Sequence, residues 1–210
     1  MTELPRILAI TDRKQVRLAV EDVVREICDK AGCTWVLLRE SDLPPLERRH
    51  MAERLRVITN ECGAKLSISR DADLAADIGA DGVHVQKVMD VSGLRAQLPK
   101  GWIGVSAHNL AEVRTAKEVG ADYVTLSPIF PTESKPGYGP PLGLESIRQA
   151  SKFGIPVFAL GGITSRSAHA CIEAGAYGLA VMGTVMRSNN PRSVIQRYAQ
   201  AFATSSTRAE

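Results

Sequence analysis

Short apolar runs rich in β-branched residues recur along this chain, separated by longer stretches with helical spacing. The runs fall at residues 7–11, 35–39, 65–68, 82–85, 102–105, 123–126, 156–159 and 178–181. Each is four or five residues long and mostly apolar on both faces. That is the pattern of parallel strands covered on both sides. The intervening stretches read as helices. Asn109 followed by Glu112 resembles a capping box, with Leu110, Val113 and Ala116 on one apolar stripe. Thr164 or Ser165 caps another helix, with Ala168, Cys171 and Ile172 inward. Asn190-Pro191 opens the last one, and Val194, Ile195, Tyr198 and Phe202 follow at helical spacing. Gly79, Gly120 and Gly175 each suit a left-handed helix end just before the next strand.

Eight strand–helix units in 210 residues predict a (β/α)8 TIM barrel, a single domain over residues 1–210. The alternative is an open doubly wound sheet. Against it, no GxGxxG opens the first helix; Thr11-Asp12-Arg13-Lys14 stands there. Apolar residues make up 44% and charged residues 23%, which excludes wholesale disorder. Lys and Arg number 26 against 23 Asp and Glu, a net charge of +3. So small an excess offers no footprint for nucleic acid or an anionic membrane. No apolar run approaches the roughly 18 residues of a membrane span. The first residues lack the order of a signal peptide, and the four cysteines include no CxxC pair. A cytoplasmic protein with reduced thiols is expected; its oligomeric state is left open.

In a barrel, chemistry sits at the C-terminal ends of the strands, and phosphate often sits after strands seven and eight. Leu160-Gly161-Gly162-Ile163-Thr164 and Met182-Gly183-Thr184 stand at those two places. Each can aim backbone N–H groups at an anion. The segment 127–143 is too long for a plain turn, and its Thr132, Ser134 and Lys135 offer two hydroxyls and a cation. Arg39, ending the second strand, either grips phosphate or pairs with Glu40. Ser106 can donate a hydrogen bond. His108 suits a structural role better than an acid–base one, and His84 is equally ambiguous. His50 and His169 read as solvated, as does the helix face Arg48-Arg49-His50. No strand places a lysine toward the mouth for a Schiff base, no HxH or HxxxH supports zinc, and no GxSxG marks an esterase.

Ile10-Thr11-Asp12, Arg39-Glu40, Ala80-Asp81-Gly82-Val83-His84, Gly104-Val105-Ser106, Phe130-Pro131-Thr132 and Ala159-Leu160-Gly161-Gly162-Ile163 occur in this order. Together they resemble the thiamine-phosphate synthase/TenI family, over about residues 6–187. The resemblance implies a barrel serving thiamine biosynthesis. The implied transferase joins hydroxymethylpyrimidine pyrophosphate to thiazole phosphate, releasing pyrophosphate with the help of Mg2+. Its partners are small phosphorylated pyrimidine and thiazole ligands. Carried over by position, Thr132, Ser134, Lys135, Gly161, Gly162 and Gly183 bind the thiazole phosphate. Arg39, Ser69, Arg70 and Ser106 face the pyrophosphate, and Ser106 and Lys135 are the catalytic candidates.

The metal half departs from the family pattern. Arg70 stands where the family has a magnesium-ligating Asp, and Asp90 comes one position late. Asp71 and Asp90 remain as metal candidates. Leu37 and Ser41 replace a Gln and a Lys, and Gly183 replaces a Ser. Arg70 and Lys87 could supply cationic charge instead. These departures keep two other readings open. One is a TenI-type thiazole tautomerase, although its His before the Phe-x-Thr loop is Pro128 here. The other is a non-catalytic phosphate-ligand binder with a regulatory role.

Overall fold

The computed structural model describes residues 3–29, 32–88, 91–132 and 140–206. Eight parallel strands close on themselves in chain order, β1 (Ile7–Ile10), β2 (Trp35–Leu38), β3 (Lys65–Ser69), β4 (Gly82–Val85), β5 (Trp102–Ala107), β6 (Tyr123–Leu126), β7 (Val157–Leu160) and β8 (Gly178–Val181). This is the (β/α)8 TIM barrel that the spacing predicts. The strands lie within two residues of their expected ends, β5 running longest past its prediction.

Around them lie α1 (Val20–Asp29), α2 (Pro45–Glu61), α3 (Ala72–Asp77), α4 (Val91–Gln97), α5 (Leu110–Glu118), α6 (Gly143–Ser151), α7 (Ser165–Glu173) and α9 (Pro191–Ser206). A one-turn helix, α8 (Gly183–Met186), follows β8 and was not anticipated. The helix starts behave as read. Asn109 accepts the Glu112 N–H at 2.9 Å, and Thr164 forms a reciprocal box with Ser167. Gly79, Gly120 and Gly175 all have positive φ at helix ends.

The two faces of each strand bury different cores. Outward residues such as Ala9, Val36, Leu66, Val83 and Val124 pack against the helices. Inward residues form a second cluster of Leu8, Ile10, Trp35, Leu37, Trp102, Tyr123, Phe158 and Ala180. Trp35 meets Trp102, Tyr123 and Phe158 edge-on, with ring centroids 4.8–5.4 Å apart. Four large rings fit because small residues stand beside them across the sheet. Gly104 pairs in register with Tyr123, and a Cβ there would lie 2.0 Å from the tyrosine ring. Filling the barrel with side chains makes it a packed core rather than a pore. The aromatic plug sits toward the N-terminal half of the strands. Smaller polar residues, Ser69, His84, Ser106 and Thr125, take over toward the C-terminal ends, and there the barrel opens.

Candidate active site

The C-terminal mouth of the barrel holds a cavity of about 1180 Å3. That exceeds the ~300–1,000 Å3 usual for one small ligand and leaves room for two. Among the described residues, Arg39, Arg70, Lys87 and Arg187 line it, against one lining carboxylate, Glu112. Glu112 is already committed, accepting the His108 N–H at 2.7 Å and the Asn109 side-chain amide at 2.8 Å. The mouth therefore favours anions.

The sequence-derived residues fall as follows. Arg39, Ser69, Arg70, Ser106, Thr132, Gly161, Gly162 and Gly183 all line this cavity. Ser134, Lys135 and Asp90 lie outside the described residues. Asp71 is not among the lining residues. One of its oxygens caps α3 by accepting the Leu74 N–H at 2.9 Å, and the other pairs with Arg48 at 2.8 Å. Arg39 does not pair with Glu40. Its guanidinium meets Asp12 at 2.7 Å while its side chain stays 40% exposed at the rim. Glu40 is buried and accepts the Arg13 N–H at 2.9 Å instead.

The loops after β6, β7 and β8 are built to meet. The Ile129 N–H donates to the Leu160 carbonyl at 2.9 Å, and the Phe130 N–H to the Gly161 carbonyl at 3.0 Å. Gly161 and Gly162 have φ of +92° and +65°. A Cβ on Gly161 would come within 2.8 Å of Pro128, and one on Gly162 within 2.3 Å of the Pro131 carbonyl oxygen. These two glycines permit the loops to touch, which is a reason different from room for a ligand. Buried Tyr198 from α9 ties the other pair. Its hydroxyl donates to the Ile163 carbonyl at 2.8 Å and lies 2.9 Å from the Thr184 hydroxyl. Gly183 lies beneath the Arg187 guanidinium.

His84 occupies the floor of the mouth. Its Nδ1 is 3.0 Å from the Tyr123 hydroxyl, and its Nε2 is 3.0 Å from the Ser106 hydroxyl and 3.3 Å from that of Thr125. Burial pushes the ring down to about 4, so it is neutral at working pH. With both nitrogens engaged, the neutral ring orients Ser106. The unfolded chain protonates this residue near 6.5 and the folded one only near 4. Stability is therefore full above 6.5 and declines as pH falls toward 4. His84→Gln is expected to remove about 1–3 kcal/mol of that decline. Urea midpoints of both proteins across this pH window would measure it, and parallel curves would contradict the assignment.

His108 donates Nδ1–H to the Ser127 carbonyl at 2.8 Å, fixing the rim between β5 and β6, and also lines the mouth. His50 is exposed, and His169 sits half-buried beside Glu173. The reading of Arg48 as solvated is corrected. Its side chain is only 9% exposed, because α2 turns that residue under the end of β3. Arg187 was also missed. Its signal was the i, i+4 spacing from Gly183, legible only once α8 is known to exist.

The profile described as thiamine monophosphate synthase matches residues 7–185. A relative from Aquifex aeolicus (strain VF5) is 41% identical over 180 residues, covering 85% of this chain and 96% of its own. The thiamine-phosphate synthase of Geobacillus thermodenitrificans (strain NG80-2) is 36% identical over 187 residues, covering 86% and 84%. Among solved structures, thiamine phosphate pyrophosphorylase from Pyrococcus furiosus superposes with a TM-score of 0.84 at 28% identity, covering 95% and 96%. The match runs from the first strand through the eighth, and the chain belongs to the thiamine monophosphate synthase family.

Proposed function

We propose that this chain is the transferase its family name describes, joining hydroxymethylpyrimidine pyrophosphate to thiazole phosphate. The observation that carries the reading is the mouth itself, large enough for two ligands and, among the described residues, lined by four cations against one committed carboxylate. The C–O bond between the pyrimidine methylene and pyrophosphate breaks, and pyrophosphate leaves with the electron pair. The thiazole nitrogen then closes its lone pair on the methylene carbon. No proton has to move for that bond to form, so the chain's task is positioning and charge stabilisation.

Arg39 and Arg70, with the Ser106 and Ser69 hydroxyls, serve the pyrophosphate end. Arginine suits this role because its planar fork binds two phosphate oxygens and stays charged. Thr132, with the backbone of Gly161, Gly162 and Gly183, serves the thiazole phosphate in this reading; Ser134 and Lys135, outside the described residues, are given the same role by the family resemblance. Ser106, at the pyrophosphate end, and Lys135, at the thiazole phosphate, are the two catalytic candidates in this reading.

Magnesium at a phosphate site ordinarily takes one or two protein carboxylates. Among the described residues, no three His, Cys, Asp or Glu side chains converge. Asp71 has both oxygens spent, and Glu112 is held by His108 and Asn109. Neither Asp71, which is not among the lining residues, nor Glu112 is thus a ready-made ligand, and Asp90 lies outside the described residues. Guanidinium groups carry the charge stabilisation in this reading.

The test is to incubate the protein with both substrates, with and without magnesium, and follow thiamine phosphate. Its formation is expected. If none forms while the thiazole substrate isomerises, the chain is a tautomerase; if neither occurs, it is a binder.

A further inference from the structure

Arg70 is the only non-glycine residue with positive φ among the described residues, at +65°. An L side chain is disfavoured there by contact between Cβ and the following carbonyl, so something must hold it. The Arg70 N–H donates to the His84 carbonyl at 2.9 Å. The residues on either side of Arg70 are both gripped by Arg48. One guanidinium nitrogen donates to the Ser69 carbonyl, and the other meets the Asp71 carboxylate at 2.8 Å. Asp71 is further fixed by capping α3.

Arg48 comes from α2 and is nine-tenths buried, and its Nε has no hydrogen-bond partner. Burying a guanidinium is costly, more so with one donor unmet. Its two side-chain hydrogen bonds both fall on the residues flanking Arg70, whose exposed side chain lines the mouth.

We infer that Arg48 is a positioning residue: it braces Ser69 and Asp71 so that Arg70 stands in the mouth as a pre-set anion-binding group. The inference rests on the transferase reading only for naming the anion a diphosphate. Preorganisation explains the arrangement. A side chain carried on a backbone already fixed in place loses less freedom on binding than one on a mobile loop.

The probe is inorganic pyrophosphate, titrated calorimetrically into the full chain in the presence of a chelator. Arg70→Ala is expected to weaken binding by about ten- to a hundredfold, the scale of hydrogen bonds to a charged group. Arg48→Met should weaken it in the same direction. The decisive variant is the double one, expected to bind no more weakly than Arg70→Ala alone, because the brace acts through Arg70. Additive losses would overturn the inference, as would unchanged affinity in Arg48→Met. Should Arg48→Met fail to fold, Asp71→Asn answers the same question. It retains a capping oxygen while discharging the partner of Arg48, and the same non-additivity with Arg70→Ala is expected. Thiamine phosphate formation is measured separately. Its absence with the coupling intact removes the transferase reading and leaves the brace standing.

Discussion

Gly162→Val is expected to destabilise the protein by about 2–5 kcal/mol and to abolish anion binding at the mouth. Two penalties combine. The residue has φ +65°, where a β-branched side chain is strained. Its Cβ would also lie 2.3 Å from the Pro131 carbonyl oxygen and 2.7 Å from that of Phe130. Both obstacles are backbone, so no rotamer change relieves them. The loop after β7 must move away from the loop after β6, and the hydrogen bonds Ile129 to Leu160 and Phe130 to Gly161 open with it. Gly161→Val should act similarly through Pro128. Gly93→Ala in α4 is the control. A Cβ there meets nothing within 4 Å, and the change should be neutral or stabilise by about 0.5–1 kcal/mol. Urea midpoints and phosphate titrations on the three variants would decide. Undiminished phosphate affinity in Gly162→Val would show that the joined loops are not the phosphate cradle.

Arg70→Ala is expected to slow thiamine phosphate formation by roughly a hundredfold or more, the scale of losing one preorganised donor to a developing anion. The departing pyrophosphate gathers negative charge as the C–O bond lengthens, so a cation fixed beside it acts more strongly on the transition state than on the bound substrate. The loss should therefore fall on kcat as well as KM. Arg70→Lys, a point charge without the fork, should recover only part of it. Arg70→Asp places a carboxylate where the family resemblance implies a magnesium ligand. If that variant gains a magnesium-dependent activity the parent lacks, the natural chain has left synthase chemistry behind. If Arg70→Ala keeps full activity, the residue is a bystander.

Much of the scaffold was legible before any coordinate. Buried parallel strands must be apolar on both faces, so each of the eight announces itself over four or five residues. Helix ends need caps and left-handed glycines, and Asn109, Thr164, Gly79, Gly120 and Gly175 supply them in place. These signals are local, arising between residues at most four apart. The position of the loops proposed to bind phosphate was legible for a related reason: a barrel's function sits at strand ends, and once strands seven and eight are counted, Gly161, Gly162 and Gly183 are located.

What only the tertiary structure decided involves partners far apart along the chain. Arg48 reads as one more charge on a polar helix until the barrel brings it to Asp71, 23 residues away. His84 is ambiguous until Tyr123 and Ser106, 39 and 22 residues on, enclose it and make it neutral. Asp71 offers a carboxylate on paper, and the fold spends both its oxygens on a cap and an ion pair. In each case the residue type set what the side chain could do. Burial and the company of distant strands, neither of which has any local pattern, set what it does.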